Sequence, residues 1–295
     1  MERYKLQKCA LCGLEKEIQL SHIIPKFIGK HLKKTSIGSI RSAENPNIVI
    51  QDLEKHYLLC RDCEEEFSAR ENWFARNIFY LWKKEETIEF EYDSNLNYFI
   101  ISLSWRSLYL DIMNYVQEGN VEIEKFQIMI DAEKMMRKFL LGKDEDLGNI
   151  ENHIFFFERV ESVNDDKFLL NPNTTIHRST VSYTHYTEDT VFTVSNLMGI
   201  IIVTMYEKGY REEWKGTKID RNRGKIIAAN QNVKSVVCGE FQYWMEEADK
   251  QMERMSETQK AKIVQKMKAI GEDIKKYDIY QDFLDDQNIK KNSSI

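Results

Sequence analysis

Proline and glycine are scarce in this chain, three and twelve among 295 residues. Breakers this sparse exclude collagen-like and linker-like stretches, and only the polar end near 290–295 is expected to lack structure. Long apolar runs are missing as well. The longest candidate, Met198–Met205, falls far short of the roughly 18 residues of a membrane span and fits a buried strand. Met1–Lys8 is polar with no apolar stretch behind it, so the N-terminus does not read as a signal peptide. The expectation is a soluble, cytoplasmic protein with no membrane partner. A net positive charge is also lacking: the formal charge of −6 argues against nucleic-acid binding over the whole surface. What the chain does have is 42% hydrophobic and 12% aromatic residues, ample for packed cores. Its length allows two domains, or one with a helical appendage.

Five cysteines need a reading suited to a reducing compartment, where disulfides are rare. Four of them form two C-x2-C pairs, Cys9/Cys12 and Cys60/Cys63. Two-residue spacing lets both thiolates of a pair reach one ion, and two pairs complete a tetrahedral zinc site with Zn–S distances of about 2.3 Å. The long interval between the pairs means that something is inserted between two knuckles. Cys238 stands alone and reads as a small buried residue.

Charge is unevenly spread. Residues 1–84 carry fifteen Lys/Arg against eleven Asp/Glu, whereas residues 85–239 carry seventeen against twenty-five and residues 240–295 ten against twelve. The sharpest feature is Lys26, Lys30, Lys33, Lys34 and Arg41, with no acidic residue among them. A basic stretch beside a metal module fits phosphate contact, and a solvated loop fits the charge pattern equally well.

Along the chain, Cys9–Gly13 reads as a tight turn and Ile18–Ile23 alternates like a half-buried strand until Ile24 and Pro25 end it. Phe27–Lys34 fits one or two helical turns, and Thr35–Asn47 a loop. Asn47–Leu53 and His56–Leu59 resemble a second strand leading into Cys60. From Asp62 a helical stripe of Phe67, Phe74, Ile78 and Leu81 begins, with Glu64–Glu66 in the first turn where the helix dipole favours acids. Knuckle, strand, loop, strand, knuckle, helix is a treble-clef order with a β-β-α core. Beyond Lys84, Thr87–Tyr92 reads as a strand, and Tyr98–Tyr115 and Val121–Leu140 as helices. Ile154–Val160, Thr175–Tyr186, Thr190–Val194 and Gly199–Tyr206 read as strands. Gly239–Tyr277 reads as one or two long charged helices. The predicted fold class is α+β: a zinc-bound treble-clef domain over 1–84, an α+β domain over 85–239 and a helical region over 240–295.

The string C-A-L-C…L-S-H-I-I-P-K-F…L-L-C-R-D-C-E over residues 9–80 resembles the zinc-containing branch of the HNH endonucleases. The resemblance implies a ββα-metal nuclease fold with structural zinc, and a separate Mg2+ or Mn2+ that assists phosphodiester hydrolysis. His22 falls where that family places its general base, and an imidazole suits proton abstraction from water near neutral pH. The chain departs from the family pattern at three places. Ser21 stands where Asp or His usually binds the metal, Glu64-Glu65-Glu66 stands where the helix usually carries Asn or His, and the middle Asn has only Asn45, Asn47 or Asp52 as counterparts. Carboxylates are good oxygen ligands for Mg2+, so Asp52, Glu64 and Glu71 are the candidate ligands of the second ion. His31, among lysines, reads as a phosphate contact or an exposed residue; His56 either faces the metal or packs.

The leading expectation is thus a metal-dependent HNH-like endonuclease acting on DNA. By resemblance alone, the setting would be antiphage defence or a mobile element. One alternative is a catalytically inactive, zinc-stabilised nucleic-acid-binding module. Another is a protein-interaction scaffold, with homo-oligomer or protein contacts through the C-terminal region.

Overall fold

The computed structural model describes residues 6–42, 44–161 and 170–293 of a mixed α/β chain. Short strands β1 (Gln7–Lys8) and β2 (Glu15–Lys16) pair antiparallel around the first cysteine turn. Gly13 adopts φ of +75° there and its N–H donates to the Cys9 carbonyl at 2.9 Å, a left-handed turn residue that glycine adopts without steric cost. Strands β3 (Ile18–His22) and β4 (Lys55–Cys60) form an antiparallel hairpin with a bulge after Gln19. The bulge leaves Leu58 out of the ladder, and its carbonyl accepts instead from Ala10 of the knuckle at 2.9 Å.

Between β3 and β4 lie helix α1 (Lys26–Thr35) and an irregular loop. The second half of that loop was expected to be a strand. Among the described residues it forms no strand: Arg41 and Val49 make an isolated bridge, flanked by the Ser42 N–H donating to the Ile48 carbonyl and the Ile50 N–H to the Ile40 carbonyl, each at 3.0 Å. Helix α2 (Arg61–Phe74) follows β4 directly and runs through a π turn (Ala75–Phe79) into α3 (Tyr80–Glu85).

Strand β5 (Glu89–Tyr92) pairs with a distant strand, β11 (Gly224–Ile227). Helix α4 (Ser94–Glu118) starts where the Asp93 side chain accepts from the Asn95 N–H, and ends at Gly119 with φ of +66°. Helix α5 (Ile123–Leu140) packs beside it. The main sheet is antiparallel, built from β6 (Glu151–Phe156), β7 (Thr180–Tyr186), β8 (Val191–Leu197) and β9 (Ile200–Glu207) in the order β6-β9-β8-β7. Met198 and Gly199 turn β8 into β9 with φ of +59° and +93°, as a two-residue hairpin requires. Strands β8 and β9 are buried on both faces. Ile200 and Ile202 point into one core, Ile201, Val203 and Met205 into another, and this explains their unbroken apolar run. Strands β10 (Glu213–Lys215) and β12 (Asn232–Lys234) pair at the periphery.

The strand expected over Thr175–Tyr186 begins only at Thr180, and residues 172–178 before it are helical. They form helix α6 (Pro172–Arg178), with proline at its start and its first free N–H groups, Asn173 and Thr174, donating to the Asp286 carboxylate at 2.9 and 2.8 Å. The C-terminal region breaks into α7 (Cys238–Arg254), α8 (Glu257–Ile270), a short 3-10 turn and α9 (Asp278–Ser293). Residues 290–293 of the polar end belong to α9, and 294–295 lie outside the described residues.

The expected boundary at 84/85 is not a boundary in the core. One cluster joins Cys9, Leu11, Cys60, Cys63 and Phe67 to Ile101, Trp105 and Leu108 of α4. The boundary at 239/240 is crossed in the same way, because Trp244 packs with Ile176, Phe192 and Val194. Among the described residues, no helix is long and apolar enough to cross a membrane.

Candidate metal centre and active site

The two cysteine pairs meet where the knuckle abuts the start of α2. Cys9 and Cys12 flank the turn, Cys60 ends β4, and Cys63 lies in the first helical turn. All four Sγ atoms lie within 4.8 Å of one another, and Cys12 Sγ is 3.9 Å from Cys60 Sγ. An ion about 2.3 Å from each of four tetrahedral sulfurs needs sulfurs about 3.8 Å apart, so the cluster fits zinc. Three of the cysteines are buried and Cys12 is partly so. The Cys60 N–H donates to Cys9 Sγ at 3.3 Å. Hydrogen bonds from Cys63 and from the backbone of Cys12 and Cys60 lower the Cys9 thiol to about 4, and sharing with Cys9 pushes Cys63 up. One thiolate already stabilised by its neighbours is a suitable first ligand for a cation. Lys16 and Asp62 pair at 2.5 Å across the outer side.

Beside the cluster, the end of β3 faces α2. Ser21 is fully buried and its hydroxyl donates to Glu64 Oε2 at 2.6 Å. The end of β3 and the first turn of α2 are therefore in direct contact through these two side chains. His22 Nε2 lies 3.1 Å from Asp52 Oδ2, shielded from solvent and off the line of a well-aligned hydrogen bond. Asp52 also accepts from Lys55 Nζ at 3.0 Å. Its modest burial would raise its pKa, but Lys55 and His22 outweigh this and hold it at about 2. Asp52 is thus an anion beside the imidazole at any physiological pH.

Glu71 lies further along α2, where Arg106 Nη1 meets its Oε1 at 2.8 Å. Burial pushes the Glu71 carboxyl up, against the pull of Arg106. The three candidate carboxylates are therefore committed differently: Asp52 to His22 and Lys55, Glu64 to Ser21, Glu71 to Arg106. Among the described residues, the four cysteines are the one group of three or more potential ligands drawn together around a single point.

The basic residues fall on α1 and its following loop. Lys26, Lys30, Lys33 and Lys34 lie within one exposed face, opposite buried Ile28, Gly29, His31 and Leu32. The Lys33 ammonium bonds the Gln51 carbonyl. Arg41 is engaged elsewhere, donating to the Pro46 carbonyl at 2.7 Å and to Gln259 of α8 at 3.3 Å. His31 is not exposed as its lysine neighbours suggested. It packs against Phe79 and Tyr80, and burial lowers it to about 4. His56 turns outward to Glu54 at 2.6 Å.

Lys55 and Arg106 carried no weight in the sequence reading. For Arg106 there was a signal: a lone charge inside the apolar helix stretch Ile100–Leu110. No family model matches this chain, and no curated protein or solved structure is detectably similar to it.

Proposed function

We propose that this protein is a zinc-stabilised, metal-dependent endonuclease of the HNH type that hydrolyses phosphodiester bonds in DNA. In this reading residues 7–74, with a cysteine turn, the β3–β4 pair and α2 in that order, would make up the treble-clef module. One observation carries the reading: the Ser21–Glu64 contact at 2.6 Å, which sets the His22 end of β3 against the first turn of α2 beside the cysteine cluster. In this reading His22 is the general base. With Nε2 turned to Asp52, Nδ1 is the nitrogen that takes the proton from the attacking water, and the Asp52 anion stabilises the imidazolium that forms. Glu64 offers a carboxylate to Mg2+ or Mn2+; Mg2+ commonly takes only one or two protein carboxylates, with water and substrate phosphate completing its shell. The bound divalent ion would supply charge stabilisation at the phosphate and the leaving oxygen. Lys26, Lys30 and Lys34 on α1 would hold the phosphate backbone without reading sequence.

The test is nicking of supercoiled plasmid with Mg2+ or Mn2+, wild type against His22→Ala. Cleavage should fall about 10²–10⁴-fold, the usual contribution of a positioned base, with zinc content unchanged. A second reading is favoured by Ser21 standing at a ligand position and by the commitment of Glu71 to Arg106. On that reading the chain binds nucleic acid through α1 without cleaving it. Equal residual nicking by wild type and His22→Ala, with DNA binding retained, would decide for this second reading.

A further inference from the structure

Arg106 lies in the middle of α4, well outside the cysteine module, yet its guanidinium reaches the end of β3. It is 1% exposed, and its charge sits 5.4 Å from the Phe67 ring centroid. Nε donates to the Ser102 carbonyl at 3.2 Å within its own helix. Nη1 meets Glu71 Oε1 at 2.8 Å and donates to the His22 carbonyl at 2.6 Å. Nη2 is buried with no partner.

Burying a guanidinium is expensive, and an ion pair alone seldom offsets it against an apolar substitute. The pair with Glu71 accounts for the charge but not for the contact with His22. Arginine can serve both because its planar fork presents several donors in fixed directions; a lysine ammonium is a point charge on a flexible stem. His22 is the last residue of β3, where the chain leaves the ladder toward Pro25. A charge-assisted bond at that carbonyl fixes the backbone that carries the imidazole.

We infer that Arg106 is a positioning residue of the His22 site, holding the backbone of the base from α4 while Glu71 balances its charge. The consequence for cleavage rests on the nuclease reading above; the consequence for the strand does not. The site is then assembled by two parts of the chain, and residues 1–84 alone do not contain all of it.

The experiment uses the full chain as wild type, Arg106→Gln, Arg106→Lys and the double variant Glu71→Gln/Arg106→Gln. Three quantities are read: zinc per chain, amide hydrogen exchange over residues 18–24, and kcat and KM for plasmid nicking with Mg2+. Arg106→Gln should keep its zinc and exchange the 18–24 amides about tenfold faster or more, the scale of a lost charge-assisted hydrogen bond. Its kcat should fall about 10²-fold, as for a displaced catalytic group, with KM little changed. Arg106→Lys should recover part of both. The double variant removes both charges, so it should regain stability against urea while exchange stays fast and kcat low. A role limited to charge balance predicts that all three recover together in the double variant, and that result would overturn the inference. Unchanged exchange over 18–24 in Arg106→Gln would overturn it as well. Should Arg106→Gln not fold, the double variant carries the same comparison. If wild type nicks nothing, the nuclease reading fails on its own, and the exchange measurement still decides whether Arg106 holds the strand.

Discussion

Replacing Cys60 by serine tests how far the metal governs the fold. Cys60 is 1% exposed, stands opposite Ile18 in the hairpin and leads directly into α2. Structural zinc contributes about 10–16 kcal/mol in small zinc-finger peptides, so each of four thiolates accounts for about 2.5–4 kcal/mol if shared evenly. That is about 10²–10³-fold in zinc affinity for one ligand lost. The fold beyond the cluster should nevertheless survive. Phe67 and Leu59 share a core with Ile101, Trp105 and Met136, and none of those contacts passes through the metal. Loss of zinc should therefore release residues 6–20 and the end of β4, and leave α4, β8 and β9 in place. The assay is zinc affinity by competition with a chromogenic chelator, paired with hydrogen exchange by mass spectrometry. Fast exchange should be confined to peptides covering 6–20 and 55–63. Full protection of those peptides in metal-free protein, or undiminished zinc affinity in Cys60→Ser, would refute the reasoning. Global unfolding would show instead that the shared core cannot stand without the ion.

Two further outcomes are expected. Replacing Lys26, Lys30 and Lys34 together by alanine should weaken DNA binding and flatten the slope of log affinity against log salt by about two to three, since each phosphate contact contributes about −0.9 for duplex DNA; an unchanged slope would make this face merely solvated. Asp282 is the other case: burial would raise its carboxyl, but hydrogen bonds from His177 and Arg178 hold it below the ordinary carboxylate value. Its folded pKa is depressed, so its contribution to stability is complete above the unfolded value of about 3.9 and is lost as pH falls through the folded one. Urea midpoints should therefore drop in acid, and Asp282→Asn should lower the midpoint at neutral pH while flattening the acid dependence.

The cysteine centre was legible because its signal is local: two-residue spacing places paired thiolates together whatever the rest of the chain does. Strand β3 was legible from alternation over its five residues, and helices α2, α4 and α5 from apolar positions recurring over more than ten. Helix α6 was not. Its residues are β-branched and polar, and the group that caps it, Asp286, arrives from α9 more than a hundred positions later. His31 was misjudged by counting neighbours in sequence rather than around the helix. It follows Ile28 by three residues and precedes Leu32 by one, so it shares their inner face, while the lysines at 30, 33 and 34 turn outward. Arg106 stood out as a lone charge in an apolar helix, but its partner was hidden for the reason that hid the Asp286 cap, because it meets His22 across 84 positions.

The geometry also limits what α1 can do for a substrate. Lys26 and Lys34 lie eight residue steps apart, about 12 Å along a helix, while phosphates rise about 3.4 Å each along one strand of a duplex. The stripe thus matches about three phosphates, enough to hold a backbone in register but not to read a base, because phosphate contacts carry no sequence information. It begins four residues after His22, with Pro25 as its first boundary. On the nuclease reading, a backbone drawn to α1 therefore arrives beside the base with no discrimination between sequences. Any selectivity must come from another element that approaches the same groove. The loop after α1 is braced by the C-terminal region: Arg41 meets Gln259, and Asn47 bonds both the Arg254 carbonyl and the Ser256 N–H. Helix α8, which begins at that brace, buries no residue of its own and carries Lys260, Lys262, Lys266 and Lys268. A contact that distinguished one DNA from another would have to come from such a neighbouring element, since α1 offers only ammonium groups on its outer face.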